Sequence, residues 1–258
     1  MTAIIPIAAF TDNYIWLLRR GREAAVVDPG DAAPVIAYCD EEDVAITTIL
    51  ATHHHRDHVG GVETLVERFG AKVYGPAREK IPARSRPLAQ DDEVDVDAID
   101  ASMRVLDIPG HTSGHIAYVG RVDRKPVVFC GDTLFAAGCG KVFEGTPAQM
   151  WASLAKLAAL EPDTEVYCGH EYTLANLRFA RAVEPHNRAI DERTGIERAK
   201  RDQGQPTLPS TIGLELATNP FLRAGEPAVK AAAEAQAQRP LADDVAVFAT
   251  LREWKNRF

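Results

Sequence analysis

One run of seven residues restricts this chain more than any other: Thr52-His53-His54-His55-Arg56-Asp57-His58. Before it, Val44 to Thr52 reads as a buried strand. After it, Val62, Leu65, Val66 and Phe69 recur at helical spacing, and Gly70 stands where a C-terminal cap belongs. The fold must therefore end a strand in a loop rich in ligand-type side chains and turn at once into a helix. Along an extended strand end, residues two apart point to one side, so His53 and His55 converge while His54 turns away. Asp57 and His58 enter the helix start, where the chain changes direction, and face a second point.

Three later residues share that setting. They are His111 in Pro109-Gly110-His111-Thr112, Asp132 in Cys130-Gly131-Asp132-Thr133, and His170 in Cys168-Gly169-His170. Each follows a strand-like stretch, and the preceding glycine lets the backbone turn tightly and come close to a site. Ligands at several strand ends are how an α/β scaffold gathers a site from distant sequence. Imidazole and carboxylate suit zinc, iron or manganese.

Seven ligands exceed one tetrahedral ion and fit two divalent ions sharing a carboxylate. We assign His53, His55 and His111 to one metal, Asp57, His58 and His170 to the other, and Asp132 to both. Such ions stand about 3.5–4 Å apart and can hold a bridging hydroxide. Asp57 and Asp132 are then the catalytic carboxylates, and zinc is the first choice of metal. A solitary histidine is ordinarily a surface or satisfied core residue, and His54, His115 and His186 keep that reading. His115 could also orient a ligand from behind.

The rest of the chain divides near residue 171. Before it lie strand candidates at Lys72 to Tyr74, Val105 to Ile108, Ile116 to Val119, Val127 to Cys130 and Thr164 to Cys168. Thr146-Pro147-Ala148-Gln149 reads as a capping box that opens a helix with Met150, Leu154 and Leu157 as its apolar stripe. After it, residues 173–183, 187–200, 228–238 and 242–256 read as helices, with RDQGQPTLPS as a connecting loop. The expectation is an α/β domain over 1–170 and a helical domain over 171–258.

Composition excludes several classes. No apolar run approaches the roughly 20 residues that cross a bilayer, so no membrane partner is expected. The formal charge of −8 and the lack of a long basic run argue against nucleic acid. Cys39, Cys130, Cys139 and Cys168 form no Cys-x-x-Cys pair, and the N-terminus lacks a basic leader and reads as a first strand. Reduced thiols in a cytoplasmic monomer are expected.

The stretches THHHRDH, PGHTSGH, GDTLF and CGHEYT resemble the metallo-β-lactamase superfamily. FTDNYIWLL, GCGKVFEGTPAQM, LATNPFLR and LREWKNRF narrow the resemblance, almost end to end, to the glyoxalase II (hydroxyacylglutathione hydrolase) family. The resemblance implies an αββα sandwich with a C-terminal α-helical domain. It also implies hydrolysis of S-(2-hydroxyacyl)glutathione thioesters: S-D-lactoylglutathione to D-lactate and glutathione, the second step of methylglyoxal detoxification. The family's metal ligands fall on the seven positions above. Its glutathione contacts fall on Lys141, Tyr172, Arg252 and Lys255, beside His170.

Phe143 stands where some members place a tyrosine against glutathione, so one hydroxyl contact is lost there. Asn256 stands where an acidic residue is usual. Read without the resemblance, Arg252 and Lys255 are better explained as a solvated helix face or as last-turn cations. A thiol with a pKa of about 8.5 leaves as thiolate with little help, which suits a sequence with no evident general acid. A lactonase or an iron persulfide dioxygenase on the same fold, a nuclease, and a structural metal module are the competing readings. The helical tail ending in Arg-x-x-Lys, the acidic balance, and the open coordination of a bridged pair weigh against them in turn.

Overall fold

The computed structural model describes residues 1–258. It begins with an antiparallel meander, β1 (Ala3–Ala9), β2 (Asn13–Arg20) and β3 (Glu23–Val27), followed by α1 (Ala32–Glu42) and β4 (Ala45–Leu50). The histidine run leads into the single turn α2 (Arg56–Val59). Then come α3 (Val62–Phe69), β5 (Lys72–Pro76) and β6 (Arg86–Leu88). These six strands form one sheet in sequence order, parallel from β3 onward.

The second sheet takes β7 (Glu93–Val96), β8 (Ala101–Asp107), β9 (Ile116–Val122) and β10 (Lys125–Gly131). After the small hairpin β11 (Leu134–Phe135) and β12 (Gly138–Cys139) come α4 (Pro147–Ala158) and β13 (Glu165–Cys168). The tail is α5 (Thr173–Val183), α6 (Arg188–Asp202), β14 (Ser210–Thr211), α7 (Ile212–Thr218), α8 (Pro227–Ala237) and α9 (Asp244–Arg257). The order in this sheet is β14-β13-β10-β9-β8-β7.

Strand β2 shows why the layers stack as they do. Ile15 and Leu17 enter one core with Val35, Ile49 and Leu65 from the α1–α3 side, while Trp16 and Leu18 enter the other with Val105, Tyr118 and Phe129. Side chains alternate across a strand, so a strand apolar at every position must be covered on both faces. Helices cover the outer face of the first sheet, and the second sheet covers its inner face. This is the expected αββα sandwich.

Local signals stand where the sequence put them. Gly70 caps α3 in the left-handed region, and Thr146 and Gln149 close a reciprocal capping box on α4. Helix α5 spans the expected 173–183. The loop RDQGQPTLPS differs from expectation: its last residue begins β14, where Ser210 pairs with Val166 of β13. No local pattern foretells a two-residue strand. It forms because β13 offers an open edge, and that edge is 44 residues away in the chain from Ser210 to Val166.

The tail shares its core with the sandwich. Phe179, Leu208, Ile212, Phe221, Phe248 and Leu251 belong to the same buried cluster as Val166 and Tyr167. A buried ion pair adds a directional link: Arg193 bonds Glu215 at 2.7 Å, and the other Glu215 oxygen accepts the amide of Ala137 at 2.8 Å. That amide lies in the β11–β12 turn, just ahead of Lys141.

Candidate metal centre

The loops that end β4, β8, β10 and β13 bring all seven proposed ligands together. His53 and His58 are fully buried; His111, Asp132 and His170 are nearly so. His53, His55 and His111 place one ring nitrogen each within 4.8 Å of one another, and ligand atoms of Asp57, His58 and His170 do the same. Asp132 lies between them: Oδ1 is 3.3 Å from His58 Nε2, and Oδ2 is 3.4 Å from His111 Nε2 and 3.3 Å from His170 Nε2.

Each of four rings is tied from behind through Nδ1. His53 pairs with Thr52 Oγ at 3.0 Å, His58 with Asp28 Oδ2 at 3.1 Å, His111 with the Lys141 carbonyl at 2.9 Å, and His170 with Asp12 Oδ1 at 2.8 Å. Donating the proton at Nδ1 leaves the Nε2 lone pair facing the centre, the arrangement metal-binding histidines use. Asp57 is held by Asn13 Nδ2, 3.1 Å from its Oδ2. Sequence reasoning missed Asp12, Asn13 and Asp28. The FTDNY stretch and the aspartate ending β3 were visible, but nothing local tied them to the histidines.

Glycines make this crowding possible. A Cβ at Gly169 would lie 2.6 Å from His58 Cε1 and 2.7 Å from Asp132 Oδ1. Gly131 has φ +47°, and a Cβ there would strike Thr52 Oγ. His115 supports from below: it stacks on His53 at 4.5 Å, and its Nε2 accepts the Asp132 amide at 3.1 Å. His54 turns outward to Glu79, as alternation requires, and His186 is exposed.

Electrostatics test whether a cation fits. The buried atoms His53 Nε2, His58 Nε2 and Asp132 Oδ1 have no hydrogen-bond partner; the last two approach each other but are misaligned for a bond. A buried orphan costs about 1–3 kcal/mol, and three such lone-pair atoms in one centre are satisfied by positive charge. Burial pushes the His53, His55 and His111 pKa values down, so these rings are neutral donors. Burial also opposes charge on His170, yet Asp132 and Asp57 raise its pKa to about 10. A hydrogen bond from His170 chiefly holds the Asp57 carboxyl well below its usual range. The donor set fits two divalent cations.

The centre opens into a cavity of about 570 Å³. His55, Asp57, His111, Asp132 and His170 line one end, with Phe143 and Tyr172 against those rings, and Lys141, Arg252 and Lys255 make up its cationic end. Tyr172 stacks on His170 with rings 4.8 Å apart and 6° from parallel. Phe143 is exposed and stands 5.9 Å from the His55 ring and 5.3 Å from His111. Arg252 is anchored by the Cys139 carbonyl at 2.7 Å and lies over the Phe221 ring. Lys255 donates to the Ala175 carbonyl at 3.3 Å. Burial, then Arg252 and Arg178, lower its pKa to about 8. No carboxylate pairs with Lys141, Arg252 or Lys255, so this end carries uncompensated positive charge. Asn256, which also lines the cavity, brings none.

Known proteins place the chain. A profile described as "Metallo-beta-lactamase superfamily" matches residues 9–170, and one described as "Hydroxyacylglutathione hydrolase C-terminus" matches residues 171–258. The chain is 54% identical over 261 aligned residues to a hydroxyacylglutathione hydrolase of Ectopseudomonas mendocina, covering all of both chains. It is 49% identical over 258 residues to that of Nitrosomonas eutropha, again covering both fully. Among solved structures it is similar to TTHA1623 in a di-iron-bound form, with a TM-score of 0.59 and 27% identity over 84% of this chain and 99% of that one. The chain belongs to the hydroxyacylglutathione hydrolase family of the metallo-β-lactamase superfamily.

Proposed function

We propose that this chain hydrolyses S-(2-hydroxyacyl)glutathione thioesters, S-D-lactoylglutathione above all, to the hydroxy acid and glutathione, the second step of methylglyoxal detoxification. The observation that carries the reading is a single cavity with clustered ligand side chains at one end and unpaired cations at the other. A glutathionyl thioester has a reactive carbonyl and two remote carboxylates, and it needs both ends. Relatives at about half identity over the whole chain bear the name of that hydrolase.

His53, His55 and His111 would hold one divalent ion, Asp57, His58 and His170 a second, with Asp132 shared. Zinc is the first choice; iron and manganese accept the same donors, and TTHA1623 was solved with two irons. When bound, such ions supply Lewis-acid polarisation of the carbonyl and an acidified water. The chain's own residues do the rest. Asp57, half exposed at the cavity, orients the proton of the attacking water. Lys141, Arg252 and Lys255 bind the glutathionyl carboxylates, while Tyr172 and Phe143 flank the thioester. A thiol with a pKa of about 8.5 leaves as thiolate without needing a proton donor.

We read residues 1–170 as the catalytic domain and 171–258 as the helical glutathione-binding domain, acting as a cytoplasmic monomer without nucleic acid. No helix is long and apolar enough to cross a membrane, and all four cysteines are free and buried. The test is a steady-state assay on S-D-lactoylglutathione beside metal analysis of the same preparation. Turnover with two ions per chain is expected. Two ions without turnover would overturn the substrate, and a lone ion in active enzyme would overturn the paired centre.

A further inference from the structure

Alternation along the strand end leaves His54 with no part in either ligand set. In the structure its ring lies between two carboxylates, Nδ1 3.0 Å from Glu79 Oε2 and Nε2 3.4 Å from Glu144 Oε1. Glu79 is buried, and its other oxygen accepts the Thr112 hydroxyl and, at 2.9 Å, the Gly114 amide. Glu144 accepts the Ser113 amide at 2.8 Å. Both acids thus grip residues 112–114, which directly follow His111. The fit is tight, since a Cβ on Gly114 would lie 2.6 Å from Glu79 Cγ. Arg84 fixes the Glu79 main chain in turn, donating to its carbonyl at 2.6 Å.

His53 and His55 flank His54, and His111 precedes the gripped segment. All three ligands of the first set therefore sit on two segments fastened through one histidine and two acids. The second set is held by Asn13 on Asp57, Asp12 behind His170, and Asp28 behind His58; Asp28 also accepts the Thr52 amide and hydroxyl and so reaches His53 through Thr52, a support separate from the two acids. None of these touches Glu79 or Glu144.

We propose that His54, Glu79 and Glu144 are positioning residues that set the affinity of the His53–His55–His111 site alone. The inference rests on the paired centre of the proposed function. A chelating site binds tightly when its ligands are already in place, because ordering them is then not charged against binding. Loss of a group that orients ligands typically costs 10–100-fold in metal affinity.

The test is a Zn²⁺ titration of chelator-treated full-length protein against a chromophoric competitor, which resolves two dissociation constants. His54→Phe and Glu79→Gln should weaken one of them by about 10–100-fold and leave the other within about twofold. Asp12→Asn should weaken the other, and combining it with His54→Phe should weaken both additively. If His54→Phe fails to fold, Glu144→Gln, at an exposed carboxylate, should shift the same constant in the same direction by a few-fold. Equal loss at both sites, no loss at either, or a double variant weakened at only one site would each overturn the clasp. A wild-type chain that takes up fewer than two ions would remove the paired centre and this proposal with it; two ions with unaltered variants would sink the clasp alone.

Discussion

The two ends of the cavity are built by different rules. At the ligand end, side chains come from strand-end loops, are largely buried, and are held through a second atom: a carboxylate, a hydroxyl or a carbonyl. At the cation end, Lys141 is exposed on a loop, Lys255 is half-buried on the last helix, and Arg252 is anchored by a carbonyl 113 residues earlier. Coordination demands placement within about 0.5 Å, so each ligand needs a rigid mount. Attraction of a carboxylate tolerates slack, because Coulomb energy falls only as the inverse of distance. Precision accumulates where bonds form, and charge suffices where the ligand is only held.

Removing the carboxylate proposed to be shared should separate the two ends most sharply. Asp132→Ala should lower turnover by on the order of 10³-fold, the scale of losing a principal electrostatic stabiliser, with metal content falling in parallel. Two ions per chain with normal activity would contradict a bridging role.

Next in size is the buried link beneath the cation end. Arg193→Ala strands Glu215 as a buried charge and should cost about 3–5 kcal/mol of stability, read from the urea midpoint of the holo-protein. Because no bond of that network touches a proposed ligand, metal content of the folded fraction should hold. A loss of metal alongside stability would mean the ends are not independent.

The cations themselves come third. Arg252→Ala and Lys255→Ala, each made alone, should raise KM for the glutathione thioester by about 10–100-fold, from one charge-assisted bond of about 1.5–3 kcal/mol. kcat should change little, since remote carboxylates are held equally in ground and transition states. An unchanged KM would take both residues out of the pocket.

The smallest effect is a pH break. Burial, then Arg252 and Arg178, bring the Lys255 pKa to about 8 in the free protein. The charged form exists below that pH and, on the proposed function, is the form that binds the anion, so kcat/KM should fall a few-fold as pH rises through about 8. Lys255→Arg should abolish that break, because guanidinium stays charged. A break surviving in the variant would assign it to another group.

Legibility in the sequence followed the same divide. The ligand run could be read because strand alternation is local: His53 and His55 converge and His54 diverges within three residues. Gly70 and the Thr146–Gln149 box were legible because caps also act over one turn. Strand β14 reads as loop in the sequence, since its pairing depends on a distant edge. At the cation end, helix chemistry by itself pointed to solvent for Arg252 and Lys255, and only the family resemblance turned them inward.

Short-range rules in the chain alone thus determined which side chains are fit to ligate and how each strand end aims them. Tertiary closure decided what stands behind them: Asp12 reaches His170 across 158 positions and Asp28 reaches His58 across 30. Alternation and capping are set by a few consecutive dihedrals, whereas a bond between distant segments exists only after two sheets have packed.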